Sequence, residues 1–171
     1  MKTSLDQSFF ARPVLEVAPD LLGKFLVIKQ KRIESAYMIT EVEAYDGPDD
    51  LACHASKGNT PRTEVMFGAA GIWYVYLIYG MYSMLNVVTG TEGYPAAVLI
   101  RAVEGFDGPG KLTKHLGITR DYNKLPAVPS TGLWIEDRGI TVEASMIVTT
   151  PRIGVAYAGE WAKKPWRFLM P

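Results

Sequence analysis

The fold is decided by the stretch Ile39-Thr40-Glu41-Val42-Glu43-Ala44-Tyr45 and by the aromatic run Trp73-Tyr74-Val75-Tyr76-Leu77-Ile78-Tyr79-Gly80-Met81-Tyr82. Both predict β-strands, and we expect the two to pair side by side. Successive side chains of a strand alternate between its faces, so Glu41, Glu43 and Tyr45 point the same way. A glutamate beside a tyrosine on such a face either meets water or lines a pocket, and the sequence leaves both options open.

The composition is that of one folded domain. Of 171 residues 48% are hydrophobic and 21% charged, which suffices for one packed core, and we expect a single domain spanning residues 1–171. No apolar run approaches the roughly 18 residues of a membrane span, and residues 1–12 lack the apolar block of a secretory signal. We therefore expect an intracellular protein with no membrane partner, cytoplasmic and nucleoid-associated in a bacterium or nuclear in a eukaryote.

The charge balance and the single cysteine narrow the classes of site. The 18 basic and 18 acidic residues cancel, so composition alone gives no reason to expect a polyanionic partner. Acidic residues gather between Glu41 and Asp50, whereas basic residues are scattered later, so a basic face could form after folding. Cys53 is the only cysteine, which excludes an internal disulfide and any multi-cysteine metal site.

The rest of the chain reads as short strands mixed with short helices. A helix is predicted at 14–22, after Pro13 and before Gly23, and a second at 109–117, closed by Gly117. Strands are predicted at 24–29, 37–45, 72–78, 85–89, 96–103, 133–136 and 147–149, the first two pairing antiparallel. With no internal repeat or linker, this order predicts one mixed α/β (α+β) domain.

Two segments point to function. The chain from Asp46 to Gly71 is rich in Gly, Pro, Asp, Asn and Thr without a sustained period, and so long an irregular segment in a compact domain is usually functional. Tyr79 has the opposite parity to Tyr74 and Tyr76, so it should lie at a hairpin end and project from the tip. The alternatives are a core position beneath the sheet for Tyr79 and simple cross-strand packing for Tyr76.

A series of ordered motifs carries a family resemblance. They are Glu41-Val42-Glu43-Ala44-Tyr45-Asp46-Gly47-Pro48, His54, Thr60-Pro61-Arg62, Met66-Phe67, Tyr74 to Tyr82, Asn86, Leu99-Ile100-Arg101-Ala102 and Gly159 to Pro165. On these motifs, which span most of its length, the chain resembles the alkyladenine (3-methyladenine, methylpurine) DNA glycosylases of the mammalian type. The resemblance implies a curved antiparallel sheet with flanking short helices and a protruding β-hairpin that enters the DNA minor groove. It also implies excision of 3-methyladenine, 7-methylguanine and often hypoxanthine or ethenoadenine.

The resemblance also implies roles for single residues. Glu43 matches the general base, and Arg101 matches the arginine that helps to position the nucleophilic water. Tyr79, with Met81 beside it, matches the residue that fills the gap left by a flipped nucleotide. The positions that match the base pocket are Tyr45, Ala52, His54, Tyr76, Asn86 and Leu99, of which the asparagine would crowd the exocyclic amine of guanine.

The chemistry of these residues suits removal of a base from duplex DNA. A protein must extrude the nucleotide to reach its glycosidic bond, and a tyrosine at a hairpin tip can fill the hole. Aromatic walls can stack on the extruded base, and a cationic alkylpurine gains further cation–π attraction. Because such a base is already a good leaving group, one carboxylate, Glu43, can suffice to activate water and stabilise the oxocarbenium-like sugar. Glu41, on the same face, is the competing base and is otherwise structural or solvated.

Other interpretations stay open for the remaining polar residues. His54 could hydrogen-bond within its loop or ligate a metal with Asp46, Asp49 and Asp50, but no ordered ligand spacing supports a metal, and we expect no cofactor. No lysine stands out as an imine-forming nucleophile, so hydrolysis without strand cleavage is expected.

The expected partner is double-stranded DNA that contains damaged purines, bound by a monomer. Candidates for contacts with its phosphates are Arg62, Lys111, Lys163 and Lys164. A non-catalytic module that binds damaged DNA or RNA, or a hydrolase of free nucleosides, could be built from similar residues. The projecting Tyr79 argues against the nucleoside hydrolase, since a free nucleoside leaves no gap to fill.

Overall fold

A ten-stranded sheet organises the molecule, which is described by a computed structural model over residues 2–170. The first and last residues of the predicted domain, 1 and 171, lie outside the described residues. The strands are β1 (Thr3–Ser4), β2 (Phe25–Gln30), β3 (Ile33–Asp46), β4 (Trp73–Ile78), β5 (Tyr82–Val88), β6 (Ala96–Val103), β7 (Phe106–Asp107), β8 (Leu133–Asp137), β9 (Val148–Thr150) and β10 (Arg167–Leu169).

The strand order is β1-β8-β2-β3-β6-β5-β4, with β7 added to β6 and with β10 joining β3 to β9. The strands pair antiparallel, and the predicted pairing of the first two long strands is confirmed by the partners Phe25 and Met38. The α-helices are α1 (Gln7–Phe10), α2 (Val14–Asp20) and α3 (Pro109–Leu116), with 3-10 turns in the longer connections. The predicted α+β class is thereby confirmed.

Strand β3 contains a bulge at Glu41 that changes which face of the sheet the following side chains point to. Ile39 and Val42 both pack in the main hydrophobic core, although residues three apart on a regular strand face opposite ways. The register with β6 shifts on both sides of Glu41, and this irregularity reconciles the two positions. Beyond it, Val42 and Ala44 face the core, while Glu43 and Tyr45 face the opposite side.

The expected pairing of the aromatic run with the 39–45 strand is wrong. The run forms β4, which pairs only with β5 within the described chain, and β5 and β6 separate it from β3. A hairpin partner adjacent in sequence has a much smaller loop to close than a strand about thirty residues away, so local pairing takes precedence. The aromatic side chains reach the Glu43 region across the sheet face rather than from the neighbouring strand.

The β4–β5 hairpin is tighter than predicted because β5 begins at Tyr82 rather than at Leu85. The Met81 amide donates to the Ile78 carbonyl at 3.1 Å, which closes the turn. Tyr79 and Gly80 there have φ of 51° and 66°. Positive φ at both central residues gives a turn whose twist matches the strands, and for a tyrosine that conformation is unusual.

The helices and the irregular segment agree broadly with the sequence. Helix α2 ends at Asp20, slightly before the predicted end, and α3 ends where Gly117 takes a left-handed conformation with φ of 65°. Asp46 ends β3, and the rest of the 46–71 segment is irregular apart from two short 3-10 helices, His54–Lys57 and Glu64–Phe67. Across residues 2–170, no helix has both the length and the apolar character that crossing a bilayer requires.

Candidate active site

A cavity of about 570 Å³ opens between the hairpin, the 46–71 segment and the segment after Arg152. Its lining includes the residues that the resemblance assigned to the base pocket, Tyr45, Ala52, His54, Tyr76, Asn86 and Leu99, together with Arg101. Antiparallel neighbours explain this convergence: Asn86 on β5 lies opposite Leu99 on β6, and Leu99 lies opposite Glu43 on β3. The sheet thus brings residues of β3, β5 and β6 together at the base of the cavity, which we call its floor.

Glu43 lies beside Leu99 on the same face of the sheet and has no exposed surface. Its Oε2 accepts a hydrogen bond from the Tyr45 hydroxyl at 2.7 Å, and its Oε1 accepts one from the Ile153 amide at 2.8 Å. Arg101 Nη1 lies 3.5 Å from the same Oε1. All three groups that hold the carboxylate belong to residues that line the cavity, so Glu43 sits one layer behind its wall.

Glu41 is held as a structural anchor. Its Oε1 accepts hydrogen bonds from Arg101 Nε at 2.9 Å and from Arg167 Nε at 2.5 Å, and the residue is buried. The bond to Glu41 raises the pKa of Arg167. A solvated role for Glu41 is therefore wrong, and one of its carboxylate oxygens is taken up by two arginines.

Tyr45 forms one wall of the cavity and is fixed from behind. Burial, followed by the Glu43 charge, raises the pKa of Tyr45, so its hydroxyl stays protonated as the donor to Glu43. The Arg152 guanidinium lies 4.8 Å from the ring centroid and forms a two-pronged ion pair with Asp50 at 2.5 and 2.8 Å. Sequence reasoning missed Arg152 and its pairing with Asp50, because a pair 102 positions apart leaves no local pattern.

His54, Tyr74 and Tyr76 form an opposing aromatic group. The His54 ring packs edge-on to Tyr76 with centroids 4.5 Å apart, and its Nδ1 lies 3.0 Å from the Tyr74 hydroxyl. Burial, aided by Arg62 and Lys57, lowers the pKa of His54 to about 4, so the imidazole is neutral at pH 7. Tyr74, which sequence reasoning treated only as a strand residue, is also part of the lining.

Asn86 is buried with a fixed orientation. Its Nδ2 donates to the carbonyls of Tyr74 and Met84 at 3.1 and 3.2 Å. Both amide hydrogens are thereby used, so the side chain cannot turn away from a bulky neighbour without losing them. Asn86 is a rigid element of the lining.

The hairpin tip places Tyr79 and Met81 in solvent, 88% and 68% exposed. The core position considered for Tyr79 is therefore wrong, whereas the predicted projection from the tip is confirmed. Tyr79 also reaches the edge of the cavity. A protruding aromatic thus stands next to an aromatic-lined cavity.

The four cations proposed for phosphate contacts differ in their surroundings. Arg62 is exposed at the cavity edge with its guanidinium 5.1 Å from the Tyr76 ring centroid, and Lys111 is exposed in the first turn of α3. Lys163 pairs with Glu160 at 2.7 Å on the surface, a contact of little strength, and Lys164 lies over the Trp161 and Trp166 rings. Arg62 lines the cavity, and Lys111 follows Pro109, which lines it, and Gly110, which lies against Tyr82 of the hairpin.

The metal site considered for His54 finds no support in the ligand geometry. Asp50, one of its proposed ligands, is committed to Arg152, and Asp46 Oδ1 accepts a hydrogen bond from the Tyr94 hydroxyl at 3.0 Å. Among residues 2–170, no three His, Cys, Asp or Glu side chains converge as metal ligands would. The charged groups in this region are arranged as arginine–carboxylate pairs.

Comparison with known proteins places this arrangement in a family. The model of the family described as methylpurine-DNA glycosylase matches residues 8–171. A protein of Myxococcus xanthus (strain DK1622) is 51% identical over 95% of this chain and 88% of its own length. Proteins of Methanocella arvoryzae and Sodalis glossinidius are 50% and 49% identical, over 96% and 97% of this chain and 90% and 96% of their own lengths.

All three relatives are named "Putative 3-methyladenine DNA glycosylase". The family expected from the ordered motifs is thus the one found by these comparisons. With a family model that accounts for residues 8–171 and relatives about 50% identical, the chain belongs to the methylpurine-DNA glycosylase family and is a monofunctional DNA glycosylase.

Proposed function

We propose that the protein flips alkylated purines, 3-methyladenine and 7-methylguanine among them, out of duplex DNA and hydrolyses the N-glycosidic bond to leave an abasic site. The observation that carries the proposal is the Glu43 carboxylate, held by Tyr45, Arg101 and Ile153 directly beneath a cavity with aromatic walls. Hypoxanthine and ethenoadenine are further candidate substrates.

Flipping begins at the hairpin tip. Tyr79 is exposed on a turn fixed by its positive φ, so its ring can enter the base stack without disturbing the core. Unstacking costs a few kcal/mol, which insertion of an aromatic ring partly offsets. Met81, exposed next to it on the hairpin tip, would insert beside the Tyr79 ring.

The extruded base would stack between Tyr45 on one side and the Tyr76–His54 pair on the other. Such stacking contributes about 1 to 3 kcal/mol per base and tolerates many purines. Selectivity against guanine would then come from Asn86. Its side-chain amide is held by two hydrogen bonds and so presents a fixed obstacle to an exocyclic amine. A neutral histidine at this position adds no positive charge that would repel a cationic base.

Hydrolysis would be driven by Glu43. Of the three contacts that cover its carboxylate, the one to Arg101 is the longest at 3.5 Å, so a water entering from the cavity would hydrogen-bond to both side chains beside this loose contact. Glu43 would take a proton from that water and stabilise positive charge on the sugar. A neutral leaving base needs a proton as well, and His54, with its pKa near 4, is a poor source at pH 7.

The test is single-turnover release of base from duplexes with one 7-methylguanine or one hypoxanthine, comparing wild type with Glu43→Gln. Exposed Glu104 offers a matched control, Glu104→Gln, which should keep the wild-type rate. The expected result is release by wild type and loss of release in Glu43→Gln with lesion binding retained. Tight lesion binding without release by wild type would instead identify a damage-binding module.

A further inference from the structure

Arg152 packs against the Tyr45 ring without being part of the cavity lining. Its side chain has no exposed surface, and its guanidinium lies between two rings, 4.8 Å from the Tyr45 centroid and 5.1 Å from that of Trp166. Tyr45 lines the cavity and Arg152 does not. A base that stacks on Tyr45 from the cavity would therefore meet a ring that already carries a cation on its other face.

The cation is locked in place by four hydrogen bonds. Two go to the Asp50 carboxylate, and the others go to the carbonyls of Ala44 at 2.9 Å and Trp161 at 3.1 Å. Asp50 is itself fixed, because it accepts from the amides of Asp46 and Ala52. Since both charges are buried, solvent and salt screen their fields weakly.

A cation behind an aromatic ring changes what the front of the ring attracts. The negative π-face draws positive charge toward it, and this attraction is strongest where water is excluded. Arg152 already makes a cation–π interaction with the Tyr45 ring, which weakens the attraction of the other face for a second cation, and its charge repels that cation. Asp50 reduces the repulsion, but the guanidinium is the charge that touches the ring.

We propose that Arg152 is a specificity-determining residue that sets the charge preference of the pocket, weakening its hold on a cationic purine relative to a neutral one of the same shape. It acts through Tyr45 and is a positioning residue rather than a catalytic one. The inference rests on the proposed function, since Tyr45 must be a wall against which the base stacks.

The experiment measures dissociation constants for two duplexes that differ only in the charge of one base. One contains cationic 7-methylguanine and the other its neutral isostere 7-deaza-7-methylguanine, each on a 2′-fluoro sugar that resists hydrolysis. Wild type should prefer the cation by less than about threefold, since Arg152 cancels much of the cation–π gain. A wild-type preference above tenfold would overturn the proposal.

Different variants should shift the ratio of the two affinities in opposite directions, which a merely structural role would not produce. The double variant Arg152→Gln/Asp50→Asn removes both charges and should shift the affinity ratio toward the cation by about fivefold. Asp50→Asn alone leaves the guanidinium less neutralised and should shift the ratio toward the neutral base. Arg152→Lys keeps the charge and should stay within about twofold of the wild-type ratio.

Each outcome separates this inference from the proposed function. Equal weakening of both duplexes in all variants would assign Arg152 a structural role only and overturn the proposal. If a variant does not fold, as judged by circular dichroism, the wild-type ratio and the remaining variants decide. Wild type that binds neither modified duplex better than an undamaged one would instead refute the proposed base pocket.

Discussion

Replacing Glu41 by glutamine tests how the charge network beneath the pocket serves the reaction. In wild type, Glu41 holds Arg101 by its Nε, which leaves Nη1 3.5 Å from Glu43. Once Glu41 is neutral, Arg101 keeps Glu43 as its charged partner and should close on it. Arg101 would then occupy the hydrogen-bonding position on Glu43 at which we place the attacking water.

The size of the effect follows from the bonds involved. Hydrogen bonds to charged groups contribute about 1.5 to 3 kcal/mol each, and glutamine can still accept a weaker bond, so Glu41→Gln should destabilise the fold by about 3 kcal/mol. Misplacing one group that positions water should raise the barrier by about 1.4 kcal/mol, a tenfold slower base release. Affinity for lesion-containing duplex should stay unchanged because Glu41 is buried away from the cavity.

Arg167→Gln is the matched control. It also removes a charged hydrogen bond to Glu41, but it leaves Arg101 attached, so stability should fall while single-turnover base release stays within about twofold of wild type. The assays are denaturant unfolding and single-turnover release of 7-methylguanine. If Glu41→Gln releases base at the wild-type rate, or is as inactive as Glu43→Gln, the assigned roles of the two glutamates are wrong.

Three further outcomes are expected. The unfolding free energy of wild type relative to His54→Asn should decrease by about 2.6 kcal/mol as pH falls from 6.5 to 4. The reason is that the unfolded histidine takes up a proton, whereas the buried one, with its pKa of about 4, stays largely neutral until pH 4; a pH-independent difference in urea unfolding would contradict this. Tyr79→Ala should weaken binding to lesion-containing duplex about tenfold while Tyr79→Phe does not, and fluorescence anisotropy that finds the two alike would argue against ring insertion. Lys111→Gln should reduce the slope of log binding constant against log salt concentration by about one released counterion, whereas Lys31→Gln, at another exposed lysine, should leave it unchanged. Equal slopes for the two variants would show that Lys111 does not contact DNA.

The charge network also explains how a chain of zero net charge can accept a polyanion. The acidic stretch from Glu41 to Asp50 would repel DNA if it were exposed. Of its five acidic residues, Glu41 and Asp50 are buried against arginines and Glu43 has no exposed surface, which leaves Asp46 half-buried and Asp49 exposed. Arg62 at the cavity and Lys111, next to Gly110 that lies against Tyr82 of the hairpin, remain exposed, so the local charge balance at the proposed DNA surface differs from the total.

Local patterns in the sequence were enough for several elements. Alternation in Ile39 to Tyr45 predicts the strand and its polar face, and the parity change at Tyr79 predicts the exposed hairpin tip. Gly117 predicts the end of α3, because a left-handed conformation is nearly free of strain for glycine. Each of these signals depends on neighbours a few positions apart.

The order of the strands and the state of the buried charges depended on the tertiary structure. The sequence does not show that β5 and β6 separate β4 from β3, nor that Glu43 lies behind the cavity wall rather than in it. The pairing of Arg152 with Asp50, 102 positions away, and of Arg167 with Glu41, 126 positions away, likewise follows only once β10 and its flanking segments fold onto β3. Side-chain alternation and turn preferences are set within a few residues, whereas burial and ion pairing are set by whichever distant segments the packed sheet brings together.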